Sequence, residues 1–88
     1  MIHKIKVSPT NFSGLITGFK CFEVRFNDRD YKVNDILVLM EYDINGYLPR
    51  SDDACYTGRC VTRRITWVLA GGVYGVEKGY VVLSIVPV

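Results

Sequence analysis

Lys20-Cys21-Phe22-Glu23-Val24-Arg25 places a cation, an anion and a guanidinium within six residues. Two chemistries follow from such a set. It can hold an anion, since a guanidinium grips a phosphate or carboxylate through paired, charge-assisted bonds. It can also break a bond, with Glu23 as the base that activates water and Lys20 and Arg25 stabilising an oxyanion. In a strand, alternate side chains face opposite sides, so Cys21, Glu23 and Arg25 share one face and Phe22, Val24 and Phe26 share the other, expected to be buried. Glu23 and Arg25 then start about 7 Å apart, within reach of long side chains. Lys20 has the parity of the apolar face, which a lysine cannot occupy unpaired, so it belongs at the strand mouth with its stem bent toward Glu23. The plainer reading is an amphipathic strand with a surface ion pair.

The elements that must position this stretch can be read from periodicity. His3, Ile5 and Val7 alternate with Lys4 and Lys6 and make a half-buried strand. Ser8-Pro9 opens a helix, serine as its N-cap and proline at the first helical position. Phe12, Leu15 and Ile16 give that helix one apolar stripe, and Gly18 suits the left-handed residue past its end. Two to three turns are too few for independent stability, so the helix must dock. The strand that carries these charges runs from Lys20 to about Phe26. Asn27-Asp28-Arg29-Asp30 is a charged turn, either a solvated loop or a rim from which Arg29 reaches a phosphate. Asn34-Asp35 is a second turn.

Ile36 to Tyr42 is almost continuously apolar and predicts a central strand covered on both faces, one by the helix and one by the core. Asp43 to Ala54, with Asn45-Gly46, Pro49 and Ser51-Asp52-Asp53, reads as a hairpin tip or long mobile loop. Cys55 to Leu69 is a long strand with a bulge at Gly58. Val61, Arg63, Ile65, Trp67 and Leu69 share one parity, which places Trp67 in the core. Arg63 then lies beside a bulge or points into a polar cleft, and Arg64 faces solvent. The spaced Gly71-Gly72, Gly75 and Gly79 match no phosphate-binding fingerprint. Tyr80 to Val86 is a final strand. The order is strand, helix, then about four more strands: a mainly β, α+β domain in the form of a small closed or half-closed barrel.

Composition narrows the function. Eighty-eight residues make a single domain, 1–88. A net charge of +2 argues against a general polyanion coat but allows a local basic patch. No apolar run approaches the ~20 residues of a membrane span, and nothing directs export. Cys21, Cys55 and Cys60 are an odd, uneven set that predicts free thiols in a reducing cytoplasm. Cys21, beside Lys20 and Arg25, is the one whose neighbours could make it reactive, the plainer reading being a small half-buried residue. With His3 as the sole histidine, no four-ligand zinc site, no Ser-His-Asp set and no Cys-His set is expected. No metal and no cofactor is called for.

Gly18-Phe19-Lys20, with Glu23 and Arg25 after it, resembles the G-x-K-x-x-E-x-R signature of the ASCH superfamily. His3-Lys4-Ile5-Lys6, the segment Asn27 to Asp35, Tyr56-Thr57-Gly58-Arg59 and Lys78 to Leu83 extend the likeness over nearly the whole chain, toward a small bacterial and phage branch. The resemblance implies a PUA-like mixed β-barrel, with one short helix between the first two strands, that binds RNA. A cleft lined by Lys20, Glu23, Arg25, Arg29, Arg59 and Arg63 would then take RNA or a nucleotide, with Tyr31, Tyr56, Tyr74 or Trp67 available to stack a base. Trp67 by its parity belongs to the core, and Tyr31 packs at a turn.

One ASCH branch hydrolyses the acetyl amide of acetylcytidine with a lysine and a threonine on the signature strand and a distant glutamate. Lys20 matches the lysine, Glu23 stands where the threonine would be, and Glu77 is a loose match to the glutamate. A carboxylate cannot replace a hydroxyl nucleophile without a change of mechanism, so the reading leans against an enzyme. A small phage-type protein-interaction module is the remaining alternative. Acidic mimicry of nucleic acid lacks the necessary charge.

Overall fold

A computed structural model describes residues 1–44 and 55–88. The expected loop features Asn45-Gly46, Tyr47, Pro49, Arg50 and Ser51-Asp52-Asp53 lie outside the described residues. Strand β1 (Ile2–Val7) leads into helix α1 (Pro9–Thr17), followed by β2 (Phe22–Phe26), β3 (Ile36–Tyr42), β4 (Tyr56–Ala70) and β5 (Tyr80–Pro87). The five strands form one mixed sheet in the order β1-β3-β4-β5-β2. β1 runs parallel to β3, and the other pairings are antiparallel. The fold is therefore mainly β, a half-barrel with its one short helix between the first two strands.

Local chemistry sets the helix ends as its sequence predicts. The Ser8 hydroxyl accepts from the Asn11 N–H, Pro9 occupies the first turn, and Gly18 closes the helix at φ 82° while its N–H donates to the Leu15 carbonyl. Phe12 and Leu15 are fully buried against Ile5 and Val7 of β1, Leu37 and Leu39 of β3, Ile65 of β4, and Val81, Leu83 and Ile85 of β5. Ile16 is exposed. It lies one residue round from Leu15, beyond the strip that meets the sheet.

Three side-chain orientations differ from the sequence expectation. On β2, Glu23 is only 3 % exposed, whereas Phe22, Val24 and Phe26 are 47, 51 and 57 % exposed. The inner face is thus the charged one. Burying Glu23 is tolerable because Lys20 and Arg25 come with it, and a compensated carboxylate does not carry the cost of a lone charge. The outward apolar residues pair laterally with β5, Phe26 lying edge-to-face on Tyr80 at 5.5 Å.

Trp67 is the second difference, 67 % exposed rather than core. Ile65 pairs with Ile85, but Trp67 pairs with Ser84, so β4 advances two residues where β5 advances one. The bulge at Thr66 flips the pleat, turning Trp67 outward and packing Val68 against the core. The expected irregularity near Gly58 is also present, as a register shift between Met40 and Tyr42 opposite the Tyr56–Cys60 segment. The third difference concerns β3. Helix and core lie on the same face of it, so Leu37 and Leu39 are buried while Ile36, Val38 and Met40 on the outer face are half-buried.

Candidate nucleic-acid interface

Because β1 and β2 are the two outer strands of a curled sheet, their free edges are the ones left to meet. They are joined by side chains. Arg25 on β2 donates through Nη2 to the Lys6 carbonyl, and Arg29 donates through Nη1 to the Lys4 carbonyl at 2.7 Å. In a parallel pair, alternate residues point their backbone groups away from the partner, so the outward carbonyls of an edge strand are ready acceptors. The loop that carries Arg29 is fixed locally. Asn27 Oδ1 accepts from the Tyr31 N–H at 3.2 Å, and Asn34 takes the left-handed conformation that turns the chain into β3.

A cleft of about 290 Å³ opens at this seam, lined by Lys4, Lys6, Arg25, Arg29, Tyr31 and Tyr56, with Asp28 at its side. Four cationic side chains face one carboxylate. The carbonyls that accept from Arg25 and Arg29 orient the two guanidiniums without adding charge, and Arg25 has its anionic partner in Glu23. Tyr31 is buried at the bottom with its ring edge-on to His3 at 4.8 Å, and burial pushes its hydroxyl pKa up despite the nearby Arg29 and Arg25. His3 Nε2 in turn lies 2.8 Å from Asp35 Oδ2.

The structure brings the three signature residues together. Lys20 Nζ donates to Glu23 Oε1 at 2.5 Å, and Arg25 Nε donates to Glu23 Oε2 at 3.2 Å. Glu23 is therefore the buried hub, one oxygen for each cation, and Arg25 extends from it into the seam. Lys20 precedes β2 and bends back to Glu23, its stem resting on Gly14, where a Cβ would stand 2.9 Å from Lys20 Cβ. That notch in the helix is part of the site, and a lone glycine inside a helical pattern was its only sequence signal.

Two other arginines have different surroundings. Arg59 meets Glu41 in a fork, Nε to Oε1 at 3.0 Å and Nη2 to Oε2 at 2.9 Å, and its guanidinium lies over the Phe12 ring. Arg59 and the Thr57 hydroxyl together hold the Glu41 carboxyl below the usual carboxylate range, outweighing its burial. Arg63 donates to the Leu15 carbonyl at 2.9 Å, a second bond to an oxygen in the last turn of α1 that already accepts from the Gly18 N–H. It lines neither the seam cleft nor the groove beside it. Lys4 and Lys6, which sequence reasoning treated only as the polar face of a strand, are the residues it missed. Their signal was position: a strand edge becomes a wall only when the sheet order is known.

Glu77 lies in the β4–β5 connection, next to the Phe26 end of β2, whereas Lys20 lies at the Phe22 end. Lys20 and Glu77 thus sit at opposite ends of the signature strand. All three cysteines are free; Cys21 and Cys60 are exposed and Cys55 is buried. Among the described residues, no cluster of three or more His, Cys, Asp or Glu is placed to hold a metal ion, and no helix is long and apolar enough to cross a membrane.

A family model matches residues 2–85. The chain belongs to the family described as a domain of unknown function, DUF3850. In this DUF3850 domain, the matched range takes in β1, the Lys20–Glu23–Arg25 hub and the seam arginines alike. No curated protein matches it.

Proposed function

We propose that this domain binds single-stranded RNA or a nucleotide at the seam between β1 and β2. The observation that carries the reading is the convergence of Lys4, Lys6, Arg25 and Arg29 on one cleft with tyrosines in its wall. RNA recognition combines guanidinium contacts to phosphate with aromatic surfaces for unstacked bases. In this reading Arg25 and Arg29 hold phosphate oxygens, and Glu23 and Lys20 position Arg25 rather than touch the ligand. The resemblance to ASCH domains in the PUA-like group points the same way. The free thiols suit a cytoplasmic setting.

The test is a fluorescence titration of labelled single-stranded RNA at several salt concentrations. With about three phosphates engaged, the logarithm of the binding constant should fall with the logarithm of salt with a slope of about −2. Arg29→Ala should weaken binding about tenfold and make the slope shallower by ~0.7, while Arg64→Ala, on the exposed outer surface, should change neither. Equal binding by wild type and Arg29→Ala would remove the seam as the site.

A further inference from the structure

A second groove, of about 270 Å³, adjoins the seam cleft on the outer side of β3. Its lining is of another character. Val38 and Met40 of β3 line it with Lys4 of β1 and Tyr56, Gly58 and Cys60 of β4. Lys4 and Tyr56 also line the seam cleft, so the two cavities have these side chains in common. The Tyr56 ring is held in place: Tyr42 lies edge-on to it at 5.1 Å, and Lys6 Nζ stands 4.4 Å from the Tyr42 centroid and 5.8 Å from that of Tyr56. Gly58, at φ 92° with open space where a Cβ would lie, keeps the groove's side clear.

We propose that this groove is a base-binding subsite, so that the ligand is a nucleotide unit with its phosphate at the seam and its nucleobase against Tyr56, Val38 and Met40. The proposal rests on the seam's being the phosphate site. A cationic cleft beside a small apolar groove fits a ligand that is anionic at one end and a flat, apolar-faced ring at the other. Nucleotides have that build, one sugar separating phosphate from base. The groove is smaller than the usual drug-sized pocket, which suits a single ring system better than a long chain. A thioether adapts to a flat ring, and a tyrosine face stacks on any base, so the subsite would favour bases as a class.

Cys60 provides a direct readout, being an exposed thiol in the lining. The assay uses a Cys21→Ser variant, which leaves Cys60 as the one accessible cysteine of the three, Cys55 being buried. Alkylation of Cys60 by iodoacetamide is followed by mass spectrometry, alone, with a short mixed-sequence single-stranded RNA, and with an abasic ribose-phosphate oligomer of equal length. At ten times its Kd, the RNA should slow alkylation about tenfold by mass action, and the abasic oligomer should leave the rate unchanged. Cys60→Trp, which fills the groove, should weaken RNA binding about tenfold, the loss of one stacked base, and spare the abasic oligomer. Arg29→Ala should weaken both ligands. If RNA binds and Arg29→Ala weakens it, but Cys60 reacts at its free rate in the complex, the groove proposal is overturned and the seam reading stands. If Arg29→Ala leaves RNA binding unchanged, or no RNA binds, the seam reading fails and the subsite falls with it.

Discussion

Glu23 holds two cations on a side chain that is almost wholly out of water. The arrangement makes the two halves of the pair unequal. Lys20 and Arg25 are each more exposed than Glu23, and each has only that carboxylate as its anionic partner among the described ion pairs. Removing the hub's charge strands Lys20 near the interior, and breaking a buried pair by deleting one member costs about 3 kcal/mol. Glu23→Gln should therefore lower the urea midpoint markedly. Lys20→Met should cost less, since Glu23 keeps Arg25 and a methionine stem still fills the Gly14 notch. Equal losses would mean that the hub is held by packing and not by charge. The ion cluster was legible in the sequence because the i, i+3 spacing of Lys20 and Glu23 and the i, i+2 spacing of Glu23 and Arg25 bring these groups within reach whichever face is inside. Which face is inside was not legible. Phe22, Val24 and Phe26 make the stronger apolar set, and only the sheet order shows that their side of an outer strand has no layer to cover it.

At the scale of elements, β4 decides which aromatic reaches water. The bulge at Thr66 leaves Ile65 at zero exposure and turns Trp67 out. Ile65→Ala should cost about 3 kcal/mol, the usual penalty for emptying a core isoleucine. Trp67→Ser should change stability by less than about 1 kcal/mol. Trp67 is the sole tryptophan, so native fluorescence reports it alone: emission should already lie close to that of solvated indole and shift little on unfolding. A blue-shifted native spectrum would contradict the outward position. Elements themselves were readable where local chemistry dictates them. Ser8-Pro9, Gly18 and Asn34 each mark a boundary with a backbone requirement that the chain obeys. A one-residue bulge leaves no such mark in Arg64-Ile65-Thr66-Trp67, since any of these residues could supply the extra step, and every parity beyond it inverts.

For the whole molecule, two buried carboxylates set the acid limit. Burial opposes ionisation of Asp35, but hydrogen bonds from His3, the Met1 ammonium and the Lys32 N–H win and hold its carboxyl below the ordinary value of 3.8. Glu41 is likewise held below its ordinary 4.5, by Arg59 and Thr57. With both values depressed in the folded state, the unfolded chain binds more protons. The stability they contribute is full above about pH 5 and is lost as pH falls through those ordinary values toward the lowered ones. Thermal melts should stay level from neutral pH down to that point and then drop, with a shallower drop in Glu41→Gln. An unchanged acid profile in that variant would remove Glu41 from the account.

The sheet order also dictates when each strand can form. β3, β4 and β5 are antiparallel neighbours consecutive in sequence, so their pairings close the shortest loops. β2 must wait for β5, at the other end of the chain, and β1 must wait for β3. Closing such long loops costs entropy before any contact rewards it, which slows folding and favours a nucleus built from the three-strand meander. The arginine bridges across the seam, which need both late strands in place, should then form after the rate-limiting barrier. In stopped-flow experiments Val24→Ala and Arg25→Ala should speed unfolding and leave the refolding rate nearly untouched, whereas Leu39→Ala and Leu83→Ala should slow refolding. The strand that carries Glu23 and Arg25 would be among the last to join the fold and the first to leave it.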